Sequence, residues 1–378
     1  MRPRLLCGCA ALVSLVALIP AALAGQASDA LYSRWSGLSG IELQSFSFDP
    51  GISVKSASQW DFPLVVVAPL GRSMSIDLTT HFAHGRIETY GGAPETLSGL
   101  TDTQIRLLYT LDRDRAVASL AINLPTGQHS VSTSQFAVAG SVGSNFLAFP
   151  VSSFGTAFGV TGGLAYALPA GAWNVGLSGS VRYVGSYAPF SDQGVSYKPG
   201  LEMRLRAGAD RVIGQSSRVL LGLTASTFSS DEFTGTGTFS GLTYKPGLRF
   251  IGDAAYLRVI GRSTLTFSAW DYLRAEGDTN SVPNPDSKEN VFNAELRFAH
   301  PVAPQLSLEP LVSFRQWSPS NYRGGRLYSG GLAARYTVND RLSASLEGRL
   351  SSGWVYVRGR GAANLTGTGL QLFLRYQR

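Results

Sequence analysis

The sequence predicts an all-β protein: a membrane-spanning, antiparallel, up-and-down β-barrel of about 16 strands, or about 14 if the first pair is plug or loop. Three observations lead to this fold class. Runs of about ten residues alternate between apolar and polar side chains. Short turns join these runs into hairpins, while longer polar segments connect one hairpin to the next. Beyond the N-terminal residues, no apolar run approaches the roughly 20 residues of a membrane-spanning helix.

The N-terminal residues have the order of a secretory signal peptide. Arg2 and Arg4 form a charged region, residues 5–19 are apolar, and Ala-Leu-Ala at 22–24 supplies small side chains for cleavage. We therefore predict a signal peptide over 1–24, a periplasmic N-terminal segment or small plug over 25–38, and a transmembrane β-barrel over 39–378.

Cysteine and charge exclude several classes of function. Both cysteines, Cys7 and Cys9, lie inside the predicted signal peptide, so the mature chain would lack disulfides, thiolate metal sites and cysteine nucleophiles. Removal of Arg2 and Arg4 would lower the formal net charge from +7 to +5. Because the basic residues are scattered singly along the strands, this charge argues against nucleic acid as a partner.

The hairpin over 103–124 has the clearest strand pattern. Ile105, Leu107 and Tyr109 share one face of its first strand, and Gln104 and Arg106 share the other. The second strand, 116–124, alternates in the same way after a short polar turn. Period-two alternation on both sides of a short turn is the signature of a β-hairpin.

Similar hairpins continue to the C-terminus and give the strand count. An even number places both termini on the side of the short, periplasmic turns and puts the longer loops outside the cell. The predicted strands are 41–48, 59–69, 73–90, 103–111, 116–124, 159–168, 173–187, 198–213, 218–228, 244–260, 264–274, 291–300, 306–317, 327–338, 341–351 and 368–378.

The polar faces of these strands carry charges in mid-strand, where a barrel in lipid would enclose a watery lumen. As a pore lining, the charges would form a weakly anion-favouring filter, since arginine is in excess. As structural groups, they would pair across strands, which we favour for most of them. Arg204 and Arg206 are the best candidates for contact with a solute. The predicted lumen-lining residues are Arg182, Glu202, Arg204, Arg206, Glu295, Arg297, Glu309, Arg315, Glu347 and Arg349.

A segment rich in Ser and Gly, 129–154, interrupts the hairpin rhythm and carries four phenylalanines. Phe136, Phe146, Phe149 and Phe154 are predicted to form a hydrophobic loop. If the loop folds inward, these rings would line an apolar groove through which solutes enter. Alternatively, they pack within the loop or lie in the interfacial aromatic belt, and the sequence leaves both interpretations open. A further set near the strand tops predicts an outer aromatic girdle: Trp270, Tyr272, Trp317, Tyr322, Trp354 and Tyr356.

No grouping of titratable residues predicts an enzyme, a cofactor or a metal site. The mature chain has four histidines. His81 shares a strand face with Asp77, but residues i and i+4 on a strand lie about 13 Å apart. That separation is too large for a direct acid–base hydrogen bond. A catalytic group assembled from distant strands stays open.

Two short motifs carry a resemblance to a known family. Residues Ser98-Gly99-Leu100-Thr101-Asp102-Thr103 and Leu124-Pro125-Thr126-Gly127 resemble the strand opening and the strand end of the "meta-pathway of phenol degradation" outer-membrane proteins, relatives of the long-chain fatty-acid transporters. Thr101 stands where the family has a second glycine. The resemblance implies passive uptake of small hydrophobic or aromatic compounds.

The expected function is therefore an outer-membrane channel for passive uptake of small hydrophobic or aromatic solutes. The expected partners are outer-membrane lipid, the solute and the barrel-insertion machinery, with the protein as a monomer in the bacterial outer membrane. The alternatives are a surface barrel that displays loops for adhesion and, third, an outer-membrane hydrolase.

Overall fold

The computed structural model describes residues 35–111, 115–236, 239–319, 324–357 and 361–378. Almost all of the regular structure is β-strand, as predicted. Numbered along the chain, the strands are β1 (Ser36–Phe48), β2 (Val54–Pro69), β3 (Met74–Thr89), β4 (Glu95–Leu100), β5 (Thr103–Leu111), β6 (Ala116–Leu124), β7 (Gly159–Ala170), β8 (Trp173–Val184), β9 (Val195–Lys198), β10 (Glu202–Ile213), β11 (Ser217–Phe228), β12 (Asp231–Gly235), β13 (Thr243–Lys245), β14 (Arg249–Ile260), β15 (Ser263–Arg274), β16 (Gly277–Thr279), β17 (Val282–Asn284), β18 (Glu289–Ala303), β19 (Leu306–Pro319), β20 (Gly325–Asn339), β21 (Leu342–Val357) and β22 (Gly361–Gln377).

The large sheet is a closed antiparallel barrel of 16 strands, which confirms the predicted fold class. Its first strand, β1, pairs with its last, β22, so the sheet has no free edge. The strands β4 and β5 both pair with β3 and are two parts of one barrel strand, interrupted at Thr101 and Asp102. Among the described residues, no helix has the length and apolar character needed to cross a membrane.

The two rims of the barrel differ, as the sequence predicts. One rim has tight turns, such as the two residues between β7 and β8, where Gly171 adopts a left-handed φ of 64° that suits glycine. The other rim carries the long connections, and both described ends of the barrel chain lie on the short-turn side. β1 begins at Ser36, slightly before the predicted boundary at residue 39. Residues 1–34 lie outside the described ones, so the signal peptide and most of the N-terminal segment stay predictions.

The outer face of the wall is a continuous apolar band. Leu164, Leu205 and Leu350 project from three different strands and expose 66 %, 69 % and 70 % of their surface. In water, an apolar band of this extent would be a liability for a monomer. Against acyl chains it is the surface expected of an outer-membrane barrel.

Five short strands form a second sheet above the long-loop rim. In pairing order they are β17, β16, β13, β12 and β9, and they come from three different long connections. The sequence predicts these connections only as longer polar loops. Because each strand has only three to five residues, its alternation is too short to be recognised in the sequence.

Candidate functional site

The long connection between β6 and β7, residues 125–158, folds into the barrel lumen. It contains the short helix α1 (Phe136–Val142), whose Val138 and Val142 are buried. The loop side chains join one hydrophobic cluster with the inner wall of β1–β4 and β20–β22. We call residues 125–158 the inward loop. The wall residues of the cluster are Phe46, Phe48, Ile52, Ala57, Ala83, Ile87, Leu97, Leu327, Val355, Ala363 and Leu365.

The four phenylalanines predicted in this loop occupy two environments. Phe146, Phe149 and Phe154 are buried in the cluster, whereas Phe136 is 37 % exposed. Phe146 stacks on Trp317 with ring centroids 5.9 Å apart, and Phe149 meets Phe46 edge to face at 5.7 Å. These rings therefore attach the inward loop to the wall; their part in solute access stays a prediction.

Polar side chains of the wall hold the backbone of the same loop. Nε2 of Gln59 donates to the carbonyl of Val151 at 2.7 Å, and the Val151 amide donates back to Oε1 of Gln59 at 2.8 Å. Nε2 of Gln44 donates to the carbonyl of Leu147 at 3.1 Å. Because Gln59 is only 2 % exposed, its reciprocal pair satisfies backbone groups that water does not reach.

Asp102 joins the two ends of the inward loop at the interruption between β4 and β5. Its Oδ2 accepts from the amide and the hydroxyl of Thr156 at 2.7 and 2.8 Å and from Nδ2 of Asn123 at 2.8 Å. Its Oδ1 accepts from the amide of Gly127 at 3.2 Å. The two motifs that carry the family resemblance, around Asp102 and Gly127, thus meet at one carboxylate.

Replacing Asp102 with alanine is expected to free the ends of the inward loop, since four donors lose a charged acceptor worth about 1.5–3 kcal/mol per hydrogen bond. We expect faster protease cleavage within 125–158 in the refolded protein, while the barrel keeps its resistance to SDS at low temperature. Asp192→Ala is a matched control, because Asp192 binds Thr133 on the exposed side of the same loop. Equal cleavage of the two variants would contradict this role.

Six of the charged side chains on β18–β21 form a neutral lattice on the inner wall. Nε and Nη2 of Arg297 lie 2.7 and 2.9 Å from carboxylate oxygens of Glu295 and Glu347. Nη2 of Arg349 bridges the same two glutamates at 3.0 and 2.7 Å. Glu309 completes the lattice, 3.8 Å from Arg297 and 3.6 Å from Arg335. Three arginines and three glutamates balance one another.

A cavity of about 70 Å³ lies in this lattice, among Arg297, Glu309, Arg335 and Glu347. Pockets for drug-sized ligands measure about 300–1,000 Å³. The cavity is therefore too small for such a solute, and the lattice acts as a filled part of the wall.

A second charged group, on β8, β10 and β14, is not balanced. Nη2 of Arg204 is 2.8 Å from Oε1 of Glu202, and Nη1 of Arg182 is 3.9 Å from Oε2. Arg249, which is not among the predicted lumen residues, pairs closely with the same carboxylate. Arg249 is the first residue of β14 and lies inside the predicted strand 244–260, but nothing in that strand indicated its pairing with Glu202, 47 residues away.

The remaining predicted lumen residues also have partners. Nη1 and Nη2 of Arg206 form a two-pronged pair with Asp253 at 2.7 and 3.0 Å. Gly222 makes room for this pair, since a Cβ there would clash with Nη2 of Arg206. Arg315 donates to the carbonyl of Phe146 at 2.9 Å and to Oδ1 of Asn293 at 3.1 Å. Arg206 is thus tied to the wall, whereas Arg315 holds the inward loop.

His81 acquires a partner that its own strand does not offer. Nδ1 of His81 lies 2.9 Å from Oδ2 of Asp61 on the neighbouring strand β2, and Asp61 is fully buried. Asp77, the candidate partner on the same strand, pairs with Arg106 instead. The hydroxyl oxygen of Thr101 accepts from the backbone amide of His81 and does not contact the His81 ring. In the described part of the chain, no cluster of three or more His, Cys, Asp or Glu suits a metal ion.

Part of the predicted outer girdle faces inward instead. Trp317 packs against the inward loop and donates from Nε1 to Glu289 at 2.9 Å. Tyr272 is 3 % exposed, and Arg315 lies over the ring of Trp270. The prediction was wrong for these three residues. Successive side chains of a strand point to opposite faces, so a shift of one residue turns a side chain from the lipid to the lumen. Trp354 and Tyr356 alternate with the inward-facing Val355, and Tyr322 lies outside the described residues.

The loops above the rim are held by two aspartates and a set of aromatic rings. Asp231 accepts from the hydroxyl of Tyr197 and the amide of Gly200. Burial nonetheless raises the pKa of Asp231. Hydrogen bonds from Thr133 lower the pKa of Asp192. Ring contacts connect Phe136 of the inward loop to the second sheet through Phe190, Phe239, Phe233 and Tyr197.

Comparison with known proteins supports the fold but not a family. No family model matches the chain, and no curated protein matches it. Among solved structures, it is similar to OprB of Pseudomonas putida, with a TM-score of 0.51 and 11 % identity over 91 % of this chain and 94 % of that one. A FadL homologue from Pseudomonas aeruginosa gives 0.46 and 10 % identity over 91 % and 90 %. The likeness to OprB shows an outer-membrane barrel fold, and the phenol-degradation family stays a prediction.

Proposed function

We propose that this protein is an outer-membrane channel through which small solutes cross passively. One observation carries the proposal: the inward loop packs against one side of the lumen, on β1–β4 and β20–β22. The opposite side, β8–β14, carries charged side chains that reach the lumen. A barrel kept only as a scaffold for surface loops has no need of such an asymmetric interior. The apolar outer band supports the membrane location.

We further propose that the solutes are small and hydrophobic or aromatic and that the channel works as a monomer. The family resemblance and the phenylalanines of the inward loop support the choice of solute. The unbroken apolar band supports a monomer, since an oligomer would cover part of it. Insertion into the membrane would require the usual barrel-insertion machinery.

Ion conductance of the refolded, signal-free protein in a planar bilayer tests the channel directly. We expect steady current steps that grow with salt concentration, because water and ions can follow the charged side of the lumen. The SDS-resistant folded form, checked before each recording, is the control for refolding. Silence from a folded barrel would contradict an open aqueous path.

A further inference from the structure

Three guanidinium groups converge on a single carboxylate at the long-loop end of β10. Arg182, Arg204 and Arg249 all contact Glu202. Among the described residues, none of the three contacts a second carboxylate. Three positive charges against one negative leave a net charge of +2 on this cluster, which we call the arginine cluster.

The neutral lattice shows that this imbalance is not a general property of the wall. Its three arginines face three glutamates and leave no net charge. Both groups lie inside the same barrel and are built from cross-strand neighbours. An uncompensated cluster of buried charge is costly unless an ion of the opposite sign accompanies it. A bound anion would therefore stabilise the arginine cluster by compensating its positive charge.

The accessibility of the cluster fits a binding site rather than a buried structural pair. The side chains of Glu202 and Arg249 are 7 % and 6 % exposed and form its base. Nε of Arg249 is buried without a hydrogen-bond partner. Arg204 is 31 % exposed, so its guanidinium group reaches the lumen. A solute in the lumen can thus contact the guanidinium group of Arg204, while the buried Arg249 contributes positive charge from within the wall.

An aromatic ring lies beside these charges. The guanidinium carbon of Arg249 is 4.9 Å from the centroid of the Phe228 ring. Phe228 is the register partner of Glu202 on the adjacent strand β11. The site therefore offers positive charge next to an apolar surface, which suits a carboxylate attached to a small apolar body.

The cluster lies on the side of the lumen opposite the wall that the inward loop covers. Its residues lie on β8, β10 and β14, with Phe228 on β11 between them. In the circle of 16 strands, these lie opposite β1 and its neighbours, where the inward loop is packed. A solute that passes the inward loop therefore faces the arginine cluster.

We propose that the arginine cluster binds the carboxylate group of small aromatic or apolar carboxylates. This inference rests on the proposed channel function and names a solute class within it. Bidentate contact with Arg204, backed by the charge of Arg182 and Arg249, holds the carboxylate. The ring of Phe228 contacts the apolar part of the solute.

The test is the binding of benzoate to the folded, detergent-solubilised protein. Binding is measured by ligand-observed NMR titration. Arg204→Gln removes the exposed charge but keeps a donor for Glu202, so folding is preserved. We expect its dissociation constant for benzoate to rise about tenfold, which corresponds to about 1.4 kcal/mol, because the carboxylate loses its charged hydrogen-bond donor. Arg335→Gln is the matched control, because it removes the same charge from the neutral lattice, and it should leave binding unchanged.

Two probes distinguish the sources of binding. Benzyl alcohol has the ring without the charge, and inorganic phosphate has the charge without the ring. We expect benzoate to bind more tightly than either. Equal benzoate binding by wild type and Arg204→Gln, or equal binding of benzyl alcohol and benzoate, would overturn the proposal. Silence in the planar bilayer with intact benzoate binding would instead overturn the channel and leave this site standing.

Discussion

Replacing Phe146 and Phe149 together with serine is expected to release the inward loop and to raise the single-channel conductance severalfold. The two rings are 3 % and 5 % exposed and pack against Trp317 and Phe46 of the wall. Removing a buried phenylalanine side chain costs about 3–5 kcal/mol. Two such losses exceed what the hydrogen bonds of Gln59, Gln44 and Arg315 would retain in the middle of the loop. The middle of the loop, still held at its ends by Asp102, should therefore leave the lumen and widen the path.

The measurement is conductance of the refolded variant in planar bilayers, with protease cleavage within 125–158 as a second readout. Phe136→Ser is the matched control, because Phe136 belongs to the same loop but is 37 % exposed. We expect the control to change neither quantity appreciably. Unchanged conductance and cleavage in the double variant would mean that the phenylalanines do not hold the loop.

The same double variant also separates two roles of these rings. If they only anchor the inward loop, uptake of apolar solutes should rise together with conductance. If they also form a groove for solute access, uptake of apolar solutes should fall although conductance rises. Uptake of a neutral aromatic compound by intact cells, compared with uptake of a small sugar, distinguishes the two roles.

The fold could be predicted because its signal is local. Alternation along 103–111 and 116–124 fixes which side chains share a face, and the short turn between them fixes the pairing. Repetition of this unit gave the strand number. The sequence did not predict β4, because its six residues are too few to show a clear alternation and Thr101 and Asp102 separate it from the predicted strand 103–111.

The site depends on contacts between residues far apart in the chain, and here sequence was less informative. Gln59 and Val151 are 92 residues apart, and Arg249 and Glu202 are 47 apart. Such pairs follow from barrel closure and register, which no single strand encodes. The sequence shows which lumen residues are positive and which are negative, but it does not show which of them pair and which group keeps a net charge. Sequence therefore predicted Arg204 and Arg206 as equals, whereas the structure ties Arg206 to Asp253 and leaves Arg204 in an unbalanced cluster.

Arg297 is expected to be the charged side chain of the neutral lattice whose loss most destabilises the barrel. It contacts Glu295, Glu309 and Glu347 at once. In Arg297→Gln these carboxylates would keep only Arg349 and Arg335, so one negative charge inside the wall would stay uncompensated. Removing one partner of a buried ion pair costs about 3–5 kcal/mol. Since the Arg297 side chain is 29 % exposed, we expect about 2 kcal/mol.

The temperature at which the folded band converts to the unfolded band on SDS gels measures this loss. Arg335→Gln removes the same charge from the edge of the lattice, where the side chain is 52 % exposed. Its cost should be below about 1 kcal/mol, as for other exposed pairs. Combining Arg297→Gln with Glu309→Gln restores the charge balance and should recover part of the loss. If Arg297→Gln and Arg335→Gln lower the temperature equally, the effect comes from net lumen charge, and the lattice is not a cooperative structural unit.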